Sequence, residues 1–219
     1  MVGRALAAAA TTIGLTVAVT GCGSNVIGAD GPQPGLAAQV EDSEITLDEL
    51  DQVTDGLCTI QEADPQAIGT SRAYARSQIL QAWVRSLVSA AYAEEHDLDV
   101  PTPDARLEQA PGWEDVDEED QDALRDYVDA FSYSESVLSE AEGERPDPAD
   151  YDIVINPRFD VELDGEEFVP AEEQLSVPVS DEAAGSDEPP SAEALQDLTD
   201  DELCGKRPDP QPAAPIPMG

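Results

Sequence analysis

The stretch from Ser71 to His96 sets the terms for everything else in this chain. Ile79, Leu80, Trp83, Val84, Leu87, Val88 and Ala91 recur at steps of three and four residues. That spacing lays one broad apolar stripe along about seven helical turns. Such a helix has to be covered by other elements, so the pattern predicts that it forms the centre of the fold. Trp83 on the stripe is first of all a core residue. The following segment DLDVPTPD, Asp97–Asp104, ends the helix because Pro101 and Pro103 cannot continue it. Asp104 is placed to cap a short helix running through Gln109.

Covering elements are legible on both sides. Ala37–Val40 and Glu44–Thr46 flank an acidic turn and read as a small hairpin. Thr46 then stands as an N-cap with Glu49 three residues on, the pattern of a capping box. Leu47, Leu50, Val53, Thr54 and Leu57 mark one face of a helix running to about Cys58, and Asp64-Pro65 breaks the chain after it. A further amphipathic helix is predicted from near Asp117 to before Gly143, with Leu124, Tyr127, Val128, Phe131 and Leu138 on one face. Glu118, Glu119, Asp120 and Asp122 crowd its first turns, where the helix dipole favours negative charge.

Past the Pro-containing segment Glu144–Asp150 the character changes. Tyr151–Ile155, Arg158–Leu163 leading into Asp164-Gly165, and Gln174–Val179 are short β-branched runs that read as a small sheet, with Pro178 at an edge or strand end. Beyond Ser180 the chain is acidic and Pro-rich, with one short helix expected between Ser191 and Leu203 and a final PQPAAPIPMG of disordered composition. The expected class is mainly α, of the α+β type, with a small β element formed by N- and C-terminal segments.

Charge narrows the function classes. The chain carries 49 acidic residues against 10 basic ones, a formal charge of −39, and Lys206 is the single lysine. Nucleic acid and anionic headgroups are repelled by such a surface. Disorder, cation binding and adaptation to high salt all produce acidic chains; the dispersal of the acids along the whole sequence favours salt adaptation.

The N-terminus reads as an address. Arg4 precedes sixteen uncharged residues, Ala5 to Thr20, and Val19-Thr20-Gly21-Cys22 then resembles a bacterial lipobox. A retained spanning helix needs roughly 20 apolar residues, and this run is shorter and rich in Ala, Thr and Gly. The expected organisation is a signal peptide over 1–21, a lipid-bearing Cys22 opening a flexible tether over 22–36, a folded domain over 37–180, and an acidic Pro-rich tail over 181–219. The protein is then expected on the extracytoplasmic face of the cell membrane, held by the Cys22 lipid. In that oxidising compartment Cys58 and Cys204 remain as an even pair, and a bridge is favoured over two separate thiols. It would fasten the tail at Cys204 onto the N-terminal helices.

The order of segments resembles the N-terminal, peptide-binding domain of SurA-type and PrsA-type chaperones. VEDSEITLDEL, Val40 to Leu50, is similar to that family's V-x-G-x-x-I-T-x-x-E-L/F opening, with Asp42 or Ser43 where the family has glycine. Ile79 to Pro101 looks like the family's long helix and its A-x-x-x-G-I-x-V exit, with His96 or Asp97 at the glycine position. The resemblance covers Ala37 to about Ala141 and, more weakly, Tyr151 to Ser180. Asn156-Pro-Arg-Phe159 resembles a segment that follows the parvulin isomerase domain, yet between Ala141 and Asn156 there is no room for that domain. The chain is thus similar to actinobacterial lipoproteins that have the SurA N-terminal domain and lack the isomerase. The resemblance implies binding of unfolded or extended polypeptides without catalysis.

Other chemistry finds little footing in the residues. His96, the one histidine, falls at a predicted helix end where an imidazolium is favoured, and no G-x-S-x-G motif accompanies it. One His and dispersed cysteines supply no zinc-ligand spacing, and no phosphate-binding glycine loop is present. Asp115 to Asp122 lacks the glycine and distal glutamate of a calcium loop, so an acidic helix start is the better reading. Arg72 and Arg76 share a helix face and are expected to pair with neighbouring acids. No enzyme activity, cofactor or metal is expected.

Two functions follow. In one, the helices around 47–58, 71–96 and 117–141 form a cradle for client chains, with Trp83, Leu87, Tyr127 and Phe131 as contact residues. In the other, the same helices close on one another, and the protein is a structural or adaptor lipoprotein docking a dedicated envelope partner. Both are salt-adapted. The thermal or denaturant midpoint is expected to rise from low to multimolar NaCl, as self-repulsion is screened; equal midpoints at both salt levels would refute the adaptation.

Overall fold

A computed structural model describes residues 34–141, 146–165, 167–171 and 189–208. All lie within one compact unit, Gly31–Gly219, of mixed α and β structure. Cys22, the signal and tether segments before Pro34, Gln174–Val179 with Pro178, and the chain from Asp209 onward lie outside the described residues.

The hairpin forms as its alternation implies: β1 (Leu36–Val40) pairs antiparallel with β2 (Ser43–Thr46). The chain then enters α1 (Leu47–Ala63) through a complete capping box. Thr46 Oγ1 accepts the Glu49 N–H at 3.1 Å, and Glu49 Oε2 accepts the Thr46 N–H at 2.9 Å. The two bonds satisfy donors that the first turn cannot satisfy itself. The helix runs past Cys58 to Ala63, and the reason lies in Asp64-Pro65. A residue before proline is pushed out of the helical region, and Asp64 is extended at φ −73°, ψ 119°.

After the short β3 (Thr70–Ser71), Ser71 caps α2 (Arg72–Glu95) by accepting the Tyr74 N–H. Its stripe is buried as the spacing predicts, with Ile79, Leu80, Trp83, Val84 and Val88 all in the core. The C-terminus closes in a Schellman motif: the Leu98 N–H donates to Ala93 O at 2.9 Å and the Asp97 N–H to Glu94 O at 3.3 Å. Asp97 holds the left-handed position at φ 51°, where glycine is the residue of least strain.

The chain returns through two single-turn 3-10 segments, Leu107–Gln109 and Trp113–Asp115. Asp104 does not cap a helix here; its carboxylate accepts the Arg106 N–H, turning the chain before Arg106 takes a left-handed conformation. α3 (Glu118–Glu140) then packs on both α1 and α2. Gly56 of α1 is a point of close approach, since a Cβ there would lie 3.0 Å from Leu124 Cδ2. The buried residues of α3 are Asp120, Ala123, Leu124, Ser134 and Val137, with Tyr127 and Val128 half-buried against the same core; of the expected face Phe131 is the residue that stands exposed. Burial, then Asp117 and Glu119 nearby, hold the Asp120 carboxyl above the ordinary aspartate range.

β4 (Ile153–Ile155) brings the chain back to β1, giving the order β2-β1-β4 with Ala38 opposite Ile155. Asn156 locks this return, its N–H donating to Ala37 O at 2.8 Å and its side-chain amide to Leu36 O at 2.6 Å. A hairpin of β5 (Val161–Asp164) and β6 (Glu167–Pro170) follows. The hairpin reaches α2 through Phe168, whose ring centroid lies 4.5 Å from the Arg85 guanidinium, and Phe159, in the turn before the hairpin, lies 5.1 Å from that of Arg76.

The last described segment is fastened at several points. The helical expectation for Ser191–Leu203 contracts to α4 (Ala194–Asp197), and β7 (Leu203–Cys204) pairs with β3. Cys58 and Cys204 are joined at an S–S distance of 2.05 Å, both buried. The link spans 146 residues, for which chain entropy gives about 5 kcal/mol of stabilisation. Gly69 lets this segment approach, since a Cβ there would sit 2.0 Å from Lys206 O.

Asp97 supplies the test of this description. Asp97→Gly is expected to raise stability by roughly 0.5–1 kcal/mol in urea melts, because it relieves the left-handed strain and removes an anion from a helix C-terminus. An unchanged or lowered midpoint would contradict the Schellman geometry.

Candidate functional site

The expected contact residues separate into two environments. Trp83 is only 8% exposed and meets the half-buried Tyr127 edge to face, their ring centroids 5.4 Å apart. Burial raises the Tyr127 phenol above its ordinary pKa. Leu87 is half-buried against the same core. These three residues therefore belong to the packed core, Trp83 and Tyr127 joining α2 to α3, and not to an open cradle. Phe131 alone of the four stands out, at 44% exposure.

Phe131 lies where two depressions meet. One, of about 290 Å³, is set between α2 and α3; Arg85, Ser89, Ser134, Glu135 and Pro148 contribute to its walls. The other, of about 430 Å³ and more open, lies between α3 and the loop after α2, against Val100, Pro101 and Pro103. Phe131 and Glu135 line both. Position on α3 explains the pairing, because residues four apart share a helix face.

Hydroxyl groups line the first depression. Ser134 Oγ donates to Ser89 Oγ at 3.0 Å, Ser89 Oγ donates to Arg85 O at 3.1 Å, and Ser86 Oγ donates to Ala82 O at 3.0 Å. Each is thereby engaged with helix backbone or with the facing helix. His96 is the C-cap residue of α2, its ring 4.2 Å from that of Tyr92, and it is not among the residues that line this depression. The arrangement offers an aromatic ring, proline edges, a carboxylate and a guanidinium to a ligand, which suits recognition of an extended segment.

Glu135, Ser134, Pro101 and Pro103 were not singled out by sequence pattern as contact residues. The signal was the alternation FSYSES, Phe131 to Ser136, in which small polar residues take helix positions that an apolar count assigns to solvent. The expected pairing of Arg72 and Arg76 is present: Arg72 pairs with Asp55, and Arg76 with Asp51 at 2.7 Å. Burial nonetheless lowers the Arg76 pKa, only partly offset by Asp51.

Among the described residues, no helix is long and apolar enough to cross a membrane, and no group of three or more His, Cys, Asp or Glu is placed to hold a metal ion. No family model matches the chain, and no curated protein or solved structure gives a match.

The two environments respond differently to truncation. Trp83→Ala is expected to cost about 3–5 kcal/mol, whereas Phe131→Ala is expected to stay within about 0.5 kcal/mol of the parent in denaturant melts. Comparable losses at both positions would place Phe131 in the core and remove the site.

Proposed function

We propose that this protein is a lipid-anchored, extracytoplasmic binding module of the SurA N-terminal type without an isomerase domain, and that it holds extended or unfolded polypeptide. The observation that carries the proposal is the exposed Phe131 set between two depressions on α3. An aromatic side chain flanked by clefts is the usual means of gripping an extended chain through its own apolar side chains. The lipobox resemblance at Val19–Cys22 supports the anchored location, and the opening from Val40 to Leu50 supports the family.

The closed packing of the helices limits how such a module works. Ile68 and Phe131 are the exposed large hydrophobics among the described residues, so the grip covers a short segment at a time. That same closure favours a second reading, an adaptor that docks one dedicated envelope partner.

Suppression of aggregation separates the two. Incubated in molar salt with several unrelated unfolding proteins, the full chain is expected to delay aggregation of each, and Phe131→Ala is expected to reduce the delay. No delay for any of them, together with no binding of an apolar dye, would sink the holding function and leave the adaptor. Cys22→Ser is expected to release the protein from membranes into the soluble fraction.

A further inference from the structure

The second depression is charged on one side only. Glu135 and Glu140 are exposed on its α3 wall, Val100, Pro101 and Pro103 form the opposing apolar wall, and Phe131 closes one end. No basic side chain lines it among the described residues, and no described ion pair includes either glutamate. The first depression differs in having Arg85 opposite Glu135, with that guanidinium over the Phe168 ring.

A segment lying along this cleft meets proline rings and an aromatic edge on one side and two carboxylates on the other. Apolar side chains fit the first wall. Against the second, an acidic side chain meets like charge and a basic one finds a partner. The chain as a whole, at −39, reinforces the same sign.

Resting on the peptide-holding reading above, we infer that the Phe131 cleft selects cationic, apolar-bearing polypeptide segments, with Glu135 and Glu140 as the residues that read the positive charge. Diffuse attraction to an acidic protein differs from this in its range. At about 1 M salt the screening length is roughly 3 Å, so long-range attraction is lost while charges in contact still interact. Selection by the two glutamates therefore persists in the salt that removes general electrostatic attraction.

The test uses the full chain with fluorescent decapeptides alternating Phe with Lys, Phe with Gln, or Phe with Glu, followed by anisotropy in 1 M NaCl. The Lys peptide is expected to bind about fivefold more tightly than the Gln peptide, as two exposed contact pairs allow, and the Glu peptide more weakly still. In the double variant E135Q/E140Q that preference is expected to vanish, while Phe131→Ala weakens all three peptides alike. Both changes lie at exposed positions, and unchanged melting midpoints verify that the variants fold. Equal binding of the three peptides to the parent protein, or a Lys preference that survives in E135Q/E140Q, would overturn the charge selection and leave peptide holding intact. Absence of binding by every peptide would overturn both.

Discussion

Burial of the apolar stripe of α2 is the interaction on which the other elements depend. Strand β1 lies against it, α1 and α3 pack along it, and the paired β3 and β7 sit at its N-terminal end. Ala37 and Ala38 of β1 are fully buried, and their small side chains suit a strand placed close to a helix. Burial of each Leu, Ile, Val or Trp on this stripe is favourable by about 1.5–3 kcal/mol relative to exposure. No other described element has comparable apolar length, so the sheet and the flanking helices gain their order from contact with α2.

Charge explains where the scarce cations stand. With 49 acids against 10 basic residues in the chain, carboxylates far outnumber the cations that could pair with them. The structure places arginines where elements join: Arg72 and Arg76 between α1 and α2, Arg76 and Arg85 over the rings that attach the β5–β6 hairpin region, and Arg125 over Trp113. Arg207 holds the C-terminal segment by donating to the carbonyls of Leu195 and Gln196 and pairing with Asp200. Exposed pairs of this kind are each worth at most about 1 kcal/mol. Their effect is to offset repulsion at the joints while the apolar core supplies stability.

Much of this was readable from residues because local rules and tertiary packing agree. The limits of α2 and the Thr46 capping box follow from single side chains, and the Cys58–Cys204 link followed from compartment logic without any geometry. The pairing of β3 with β7 was not readable, because two-residue strands have no periodicity and this pair is positioned by the disulfide and by the contact between Gly69 and Lys206. On α3 the expected face holds at Leu124, Tyr127 and Val128 and fails at Phe131. Past Val128 the helix is buried through Ser134 and Val137 instead, and a serine carries little apolar weight, so an apolar count assigns Phe131 to a core that it does not enter. That is what leaves an aromatic ring at the surface. The end of α2 is legible from Pro101 and Pro103 beyond it, but only the backbone reveals that Asp97 takes a left-handed conformation.

The place of β1 in its sheet has a mechanical meaning. It is the central strand, flanked by β2 and β4. Tension arriving through the residues before Gly35 acts along this strand and loads its hydrogen bonds to both neighbours in shear, all at once. Peeling an edge strand breaks such bonds one after another. Asn156 adds two more bonds at Leu36 and Ala37, close to the N-terminal end of the strand. A pull applied at Gly35 is thus met by the hydrogen bonds of a central strand to both of its neighbours, not by those of an edge strand to one.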